Sequence, residues 1–591
     1  MEVAPASHAA FLRVTFPDGA KERRVMIDAS RRFDGVFDDR KPAHGRIDFF
    51  DTSHRCIMMW NRDRVDGRSG PVLKNWCAFA RLFLKHVNPH TGRAWGEEPA
   101  LLFLPLVNEG AFSNPKTWAS LARIPAFRAA FAKWIRQERE RAPDAFPEAV
   151  GEEPPEDLNR IGARHSAVYA NFLAYLERTG FARMRAYLRE ELDVKVPLTN
   201  QNCGPHLPPM QAVREEVYDF VDDHTYVDHP AFIGKTRWAP PVRLGNGGKT
   251  QLGKGLCCAI ADLSFTRLVN KPFTVTEWNF AAPGPHRAQG GLMMGAAASL
   301  QDWDGLWRFA YAHDVRDAEE QPRRIDFFNV ATDPVSLAGE RAGILLFLRR
   351  DVEPLATTVA RLVDDGAMRP AKGTACAPVK PGWANLLWRT KVGTCRPGSL
   401  PKEAFGVPFA AKTVKDRLPA DLPANGGVRI DTAKRTLAIA TARTCGGYAP
   451  AEAGEVGAGD FSFAVGEDSA AVWASALDGT DLAHAGRILV SHVTDARNTG
   501  MAFSNETVSV MTKWGKAPVL VRTGTATVAL NLDSPRDVRI WALDAVGNRK
   551  NTVPSEVKDG RLRFTTSVQQ PFGACFHYEV AIERQLREGK K

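Results

Sequence analysis

The chain has 591 residues, 44% of them hydrophobic and 25% charged, with a formal charge of +10. Its length exceeds what one core organises and implies roughly two to four domains. The 78 basic and 68 acidic residues are interspersed, which argues against a nucleic-acid binder. No apolar stretch reaches the roughly 18 residues of a membrane-spanning helix.

Met1-Glu-Val-Ala-Pro has neither the basic start nor the apolar stretch of a signal peptide, so no export signal is visible and the compartment stays open. Nine cysteines are scattered without any C-x-x-C pair, so they read as buried or free thiols rather than zinc ligands.

In chain order, residues 10–16 read as a strand carrying Arg13, and residues 46–50 as a second strand leading into Asp51-Thr-Ser-His54. From 72 to 87 apolar residues recur every three or four, the pattern of an amphipathic helix, which stops before Asn88-Pro89. Leu101–Val107 is a continuous apolar run of the kind buried on both faces of a parallel sheet, and it breaks directly into Asn108-Glu109. Helical patterns follow over 116–142 and 160–191, interrupted by the Pro-rich acidic stretch 151–157. Val194–Leu198 reads as a strand ending in Thr199-Asn200-Gln-Asn202, and Val217–Val221 as another, ending in Asp222-Asp223-His224-Thr-Tyr226. Pro272-Phe-Thr-Val-Thr-Glu277-Trp278 repeats the form of the Leu101 stretch. Residues 288–300 read as a small-residue helix, 301–311 as a last strand with its loop containing Trp303, and Pro334–Arg350 as a closing helix.

Strand-helix alternation of this kind indicates parallel βα units. The fold expected for 1–350 is a (β/α)8 TIM barrel. Seven strands are countable, so an eighth belongs before residue 10, either as an atypical element over Met1–Ser7 or beyond a truncated start. Residues 351–427 are expected to form an irregular connector. From 428 to 591 short β-like runs recur about every ten residues, which predicts an antiparallel sandwich. Its function cannot be read from the strands; support of the barrel is expected ahead of independent sugar binding.

Two strands ending in carboxylates about 170 residues apart suggest a two-carboxylate site. Glycosidic bonds break through an oxocarbenium-like transition state. It requires a protonated acid at the leaving oxygen and an ionised carboxylate at the anomeric carbon. Glu109 and Glu277 are the candidates. Asn108 is placed to bond the sugar 2-hydroxyl, and Arg13 and Tyr226 to hold Glu277 ionised. Gly245–Thr250 imitates a phosphate loop but has Arg243 where the leading glycine belongs, so a surface loop over the barrel mouth is expected there. No Gly-x-Ser-x-Gly elbow is present.

On these residues the chain resembles the clan A glycoside hydrolases, retaining (β/α)8 enzymes that include cellulases, mannanases and β-galactosidases. Asn108-Glu109 and Thr276-Glu277-Trp278 are similar to the clan's fourth- and seventh-strand signatures, and His224-Thr-Tyr226 to its sixth-strand His-x-Tyr. The resemblance implies that Glu109 is the acid/base, Glu277 the nucleophile and Tyr226 its contact. It also implies that Arg13 is the second-strand arginine. Trp303 stands where the clan places an aromatic sugar platform, or else is a core tryptophan. His54 either lines the sugar site or caps a loop. Asn200, His224 and Trp278 complete the expected substrate-binding set. The resemblance covers about residues 10–350. It implies hydrolysis of a β-linked oligo- or polysaccharide with no cofactor, no metal, and no nucleic-acid or membrane partner, and it leaves oligomeric state open. The alternative function is carbohydrate binding without catalysis on a decayed barrel.

Overall fold

The computed structural model describes residues 2–6, 9–13, 71–110, 121–143, 151–155, 163–204, 207–253, 258–319, 323–364, 383, 385–409, 411, 427–535 and 537–582. The expected strand over 46–50 and His54 lie outside the described residues. At the start of the chain, β1 (Glu2–Ala6) and β2 (Ala9–Arg13) form an antiparallel pair, with Glu2 opposite Arg13. This corrects the expectation of a parallel barrel strand at 10–16. Only two residues separate the strands, and so short a connection returns the chain antiparallel, whereas a parallel return needs a long crossover.

The rest of the N-terminal half is mixed α/β. Helix α1 (Pro71–Leu84) precedes β3 (Leu104–Pro105), and α2 (Pro125–Arg141) and α3 (Ala163–Ala186) precede β4 (Leu198–Thr199). Then come α4 (Pro208–Val217), β5 (Val221–Val227), the hairpin of β6 (Pro230–Phe232) and β7 (Val242–Leu244), α5 (Cys258–Thr266) and β8 (Phe273–Phe280). Helix α6 (Gly290–Leu300), β9 (Gly305–Arg308) and α7 (Pro334–Gly343) close this half. β3 pairs with β4, and β5 with β8 and β8 with β9, all parallel. Backbone bonding of Asp219 to Leu198 links the two groups. Closure into a barrel is not visible among the described residues.

Helix α6 is buried along its whole length and lies against α7. Their backbones approach so closely that a Cβ on Gly291 would stand 1.8 Å from the Gly339 carbonyl oxygen. The small-residue composition of 288–300 therefore sets how near the helices lie. The strand expected at Val217–Val221 is displaced: Val217 ends α4 and the strand runs Val221–Val227. Apolar patterning missed this because Asp222 and Asp223, though charged, are buried within the strand, with hydrogen-bond partners that satisfy them.

Within 351–427, β10 (Thr358–Leu362) pairs in parallel with both β11 (Lys391–Cys395) and β12 (Ala404–Pro408). Beyond residue 427 the chain is a large all-β region. An eight-stranded antiparallel sheet, including β18 (Ser469–Ala476) and β19 (Arg487–Val493), lies against a five-stranded one, including β17 (Phe461–Val465) and β24 (Thr525–Leu530). Val472 and Val490 from the first share one core with Phe463 and Val528 from the second, the arrangement of a sandwich.

This region is bound tightly to the first half. Arg287, completely enclosed, donates to Asp333 (2.7 and 3.1 Å), to Asp495 (2.5 Å) and to the Ala496 carbonyl (2.7 Å). β22 (Val510–Lys513) pairs with β7, so strands from both halves form one sheet.

Candidate active site

The site begins with two asparagines that extend a ladder. β3 and β4 pair over only two residues each. Past that point the side chain of Asn200 accepts the Val107 N–H (3.1 Å), and that of Asn202 accepts the Glu109 N–H (2.7 Å). Their carboxamides substitute for strand carbonyls and carry the chain from apolar Leu106 out to Glu109, which stands in the left-handed region at φ +51°. Asn200 is held in turn by buried Glu177, which accepts from Asn200 (2.9 Å), Gln201 (2.9 Å) and the Tyr218 hydroxyl (2.6 Å).

Parallel pairing of β5 with β8 sets His224 opposite Glu277. The Tyr226 hydroxyl donates to Glu277 Oε2. His224 Nδ1 lies 3.3 Å from Glu109 Oε1 and 3.7 Å from Glu277 Oε2. One ligand-type atom from each of Glu109, His224 and Glu277 falls within 4.8 Å of the others. The glutamates that stand 168 residues apart in sequence thus converge on one imidazole.

A buried network lies behind this group. Asp222 accepts from the Thr274 hydroxyl (2.7 Å), the Thr276 N–H (3.0 Å), the Thr276 hydroxyl and Asn202 (3.1 Å). Burial pushes its carboxyl up to about 6, against the pull of His224 and those donors. His224 moves the other way from what burial alone dictates: burial lowers it, but Glu277, Glu109 and Asp222 outweigh that and hold it up at about 9. The two glutamates beside it thus favour the protonated form of His224.

A cavity of about 430 Å³ opens beside these residues, lined among others by Glu109, Cys203, His224, Tyr226, His229 and Asp262. Glu277 lies behind the His224–Tyr226 wall, with its side chain 6% exposed. Burial and the neighbouring Glu109, Asp223 and Glu277 raise the Cys203 thiol well above its ordinary value, which keeps it protonated and a poor nucleophile. His229, which lines the cavity, is lowered by burial against the Pro230 carbonyl 3.1 Å from its Nδ1. Asn108 Oδ1 is buried and has no hydrogen-bond partner among the described residues. Such an acceptor, next to Glu109, is suited to a ligand hydroxyl.

The expected site residues are distributed as follows. Glu109, His224, Tyr226 and Glu277 are brought together, Asn108 is the chain neighbour of Glu109, and Asn200 supports the segment through the Val107 N–H. Trp278 alternates to the other face of β8 from Glu277. It is 2% exposed in the core, with the Arg308 guanidinium 4.8 Å from its ring. Trp303 packs against Phe273 at 5.4 Å, at the end of the sheet opposite Glu277. Arg13 ends β2, at a position where only the backbone is described. Asn202, Thr276 and Glu177, which sequence reasoning did not single out as site residues, position the others. Asn202 closes the polar quartet after the Val194 stretch, a signal that was present but unassigned.

Glu109, His224 and Glu277 are also the described residues arranged to hold a metal ion. A ligating histidine must give up its proton, so a metal would compete with the proton that the two glutamates favour on His224.

No protein-family model matches the chain, and no curated protein does. Among solved structures, the endo-beta-1,4-mannanase from Thermotoga petrophila aligns over 51% of this chain and 60% of its own, at 12% identity and a TM-score of 0.28. The alignment thus spans less than two thirds of the mannanase. The site geometry carries the functional argument.

Proposed function

We propose that the protein is a retaining β-glycoside hydrolase of the clan A type, with residues 1–350 forming a (β/α)8 barrel that acts on a β-linked oligo- or polysaccharide. The observation that carries this reading is the convergence of Glu109 and Glu277 within 4.8 Å across His224. Carboxyl groups about 5–5.5 Å apart suit double displacement, whereas the roughly 6.5–9.5 Å of inverting enzymes leaves room for a water molecule.

In this mechanism Glu277, oriented by the Tyr226 hydroxyl, attacks the anomeric carbon. Glu109 protonates the departing oxygen and then takes the proton from the incoming water. His224 Nδ1, 3.3 Å from Glu109 and 3.7 Å from Glu277, holds the two carboxyl groups next to each other. The vacant acceptor of Asn108 receives a sugar hydroxyl. The reaction needs neither cofactor nor metal.

Glu277→Ala tests the assignment. The variant is expected to lose turnover of an aryl β-glycoside and to recover part of it with azide, giving a glycosyl azide of inverted configuration. Full residual activity without azide would refute the nucleophile role.

A further inference from the structure

The outer face of the eight-stranded sheet changes character across its width. Val490 of β19, Tyr578 of β31 (His577–Ile582) and Ala542 of β25 (Val538–Leu543) belong to the sandwich core. Alternate residues of these strands therefore face away from it. Where β18 and β19 carry Trp473 and Val493, the outer face packs on the first half of the chain. Farther across it carries Arg487, Glu579, Arg539 and Trp541 instead, joined by Arg549 of β26 (Arg549–Thr552).

Glu579 is the centre of this group, with its side chain 4% exposed. One bidentate arginine would satisfy such a carboxylate. Two arginines hold it here, each by Nε alone: Arg487 donates to Oε1 at 2.6 Å and Arg549 to Oε2 at 2.5 Å. The terminal nitrogens of both forks have no acceptor among the described residues, and the two side chains are 60% and 37% exposed. The Arg549 guanidinium also lies 4.2 Å from the Trp541 ring centre, which fixes it further. Asp544, at the β25–β26 turn, is taken up by Lys550 at 3.1 Å and by Asn548. A single carboxylate thus immobilises two guanidinium groups without using their paired donors, and one positive charge is left over.

Spacing narrows the choice of anion. Arg487 and the exposed Arg539 both stand opposite Ala581 of β31, so two strand separations, about 10 Å, lie between them. An extended β-1,4-linked chain turns successive rings over, and carboxylates along one edge recur at every second ring, a comparable length. Duplex nucleic acid instead presents a phosphate about every 3.4 Å of axis on each strand. A guanidinium fork also matches a planar carboxylate with two parallel bonds.

We infer that this face is a docking surface for a carboxylate-bearing β-linked polysaccharide, gripped by Arg487, Arg539 and Arg549 around Glu579. The choice of a β-linked chain rests on the proposal that the protein acts on one. The β-rich region thereby gains a binding role of its own, separate from the cavity at Glu109.

The test is calorimetric titration of the full-length protein with a β-1,4-linked mannuronate hexamer, at low and at high salt. Neutral β-1,4-linked mannohexaose and a short DNA duplex serve as comparators, and hydrolysis of an aryl β-monoglycoside is measured on the same samples. The wild type is expected to bind the uronate about tenfold or more tightly than mannohexaose, and to lose most of that preference at high salt. Arg487→Gln and Arg549→Gln each leave Glu579 one arginine, and each should weaken uronate binding about tenfold while hydrolysis of the monoglycoside is unchanged. Arg539→Gln, outside the Glu579 hydrogen bonds, should weaken it too, and unfolding temperatures establish that all three variants are folded. Equal affinity for the charged and the neutral chain overturns the surface. So does uronate binding that none of the three substitutions weakens, or DNA bound as tightly as the uronate. Arginine-dependent uronate binding in a protein that hydrolyses no glycoside upholds the surface and removes the hydrolase reading instead.

Discussion

Replacing Tyr226 with phenylalanine isolates one hydrogen bond. The ring's contacts with Phe328 at 5.1 Å, His229 at 5.3 Å and Phe309 at 6.2 Å are available to phenylalanine, so the packing survives. What is lost is the hydroxyl that donates to Glu277 Oε2. Hydrogen bonds to a charged group contribute about 1.5–3 kcal/mol, which corresponds to about 10- to 150-fold in rate if the bond orients the attacking oxygen. Glu277 has 6% of its side chain exposed, so water is poorly placed to replace the donor. The assay is steady-state hydrolysis of an aryl β-glycoside. The loss is expected in kcat and kcat/KM together, because the bond acts on the reacting group rather than on ground-state binding. A loss below about threefold, or one confined to KM, would refute the reasoning.

Other expectations follow from the same geometry. Glu109→Gln should slow substrates with poor leaving groups far more than activated aryl glycosides, and equal slowing of both would remove Glu109 from the acid role. Asn202→Ala deprives the Glu109 N–H of its acceptor and Asp222 of a donor, and should destabilise by about 1–3 kcal/mol while lowering kcat; denaturant titration with unchanged stability would contradict this. Between its ordinary 6.5 and about 9, His224 keeps a proton in the folded chain that it loses in the unfolded one. That contribution is complete below pH 6.5, and stability falls through this window by about 1.4 kcal/mol per pH unit. Thermal unfolding should show the decline in wild type and not in His224→Gln, and identical slopes would refute it. Arg287→Met leaves Asp333 and Asp495 buried without their partner and should destabilise by about 3–5 kcal/mol, lowering the melting temperature of the whole chain; a shift confined to the β-rich region would show that the two halves unfold separately.

The parts of the fold legible in the sequence are those where one face or both faces of an element are uniformly apolar. The sandwich runs at Phe461–Val465 and Val538–Leu543 coincide with strands, and the Leu101 run leads to Glu109 at the cavity. Reading failed where polar groups are buried. Asp222, Asp223 and His224 lie inside β5, and no periodicity marks them, because the partners that make their burial tolerable come from elsewhere in the chain: Thr274, Thr276 and Asn202 for Asp222, Gly204 and Thr266 for Asp223, and Asn202 and Thr276 for His224. The side chains of Asn200 and Asn202 act as strand carbonyls, a role that residue type alone does not disclose. Tryptophan was misleading in a different way. Trp303, at a position suggestive of a sugar platform, and Trp278 are enclosed in the core, whereas Trp238, on a hairpin without any strong pattern, is half exposed.

The attachment of residues 428–591 to the first half was also illegible, because it depends on single contacts over long separations. Asp495 meets Arg287 across 208 positions, and Asn498 bonds Ile325 across 173. No local signal accompanies either pair.

The claim on which the account rests is that Glu277 attacks sugar while Glu109 stands beside it as the acid. Incubation with an activated 2-deoxy-2-fluoro glycoside, followed by intact mass and peptide mapping, tests this most directly. The account predicts a gain of one fluoroglycosyl group, carried by the peptide containing Glu277 and absent from the Glu277→Ala variant. An enzyme that turns over glycosides yet acquires no adduct, or acquires it on another residue, would contradict it.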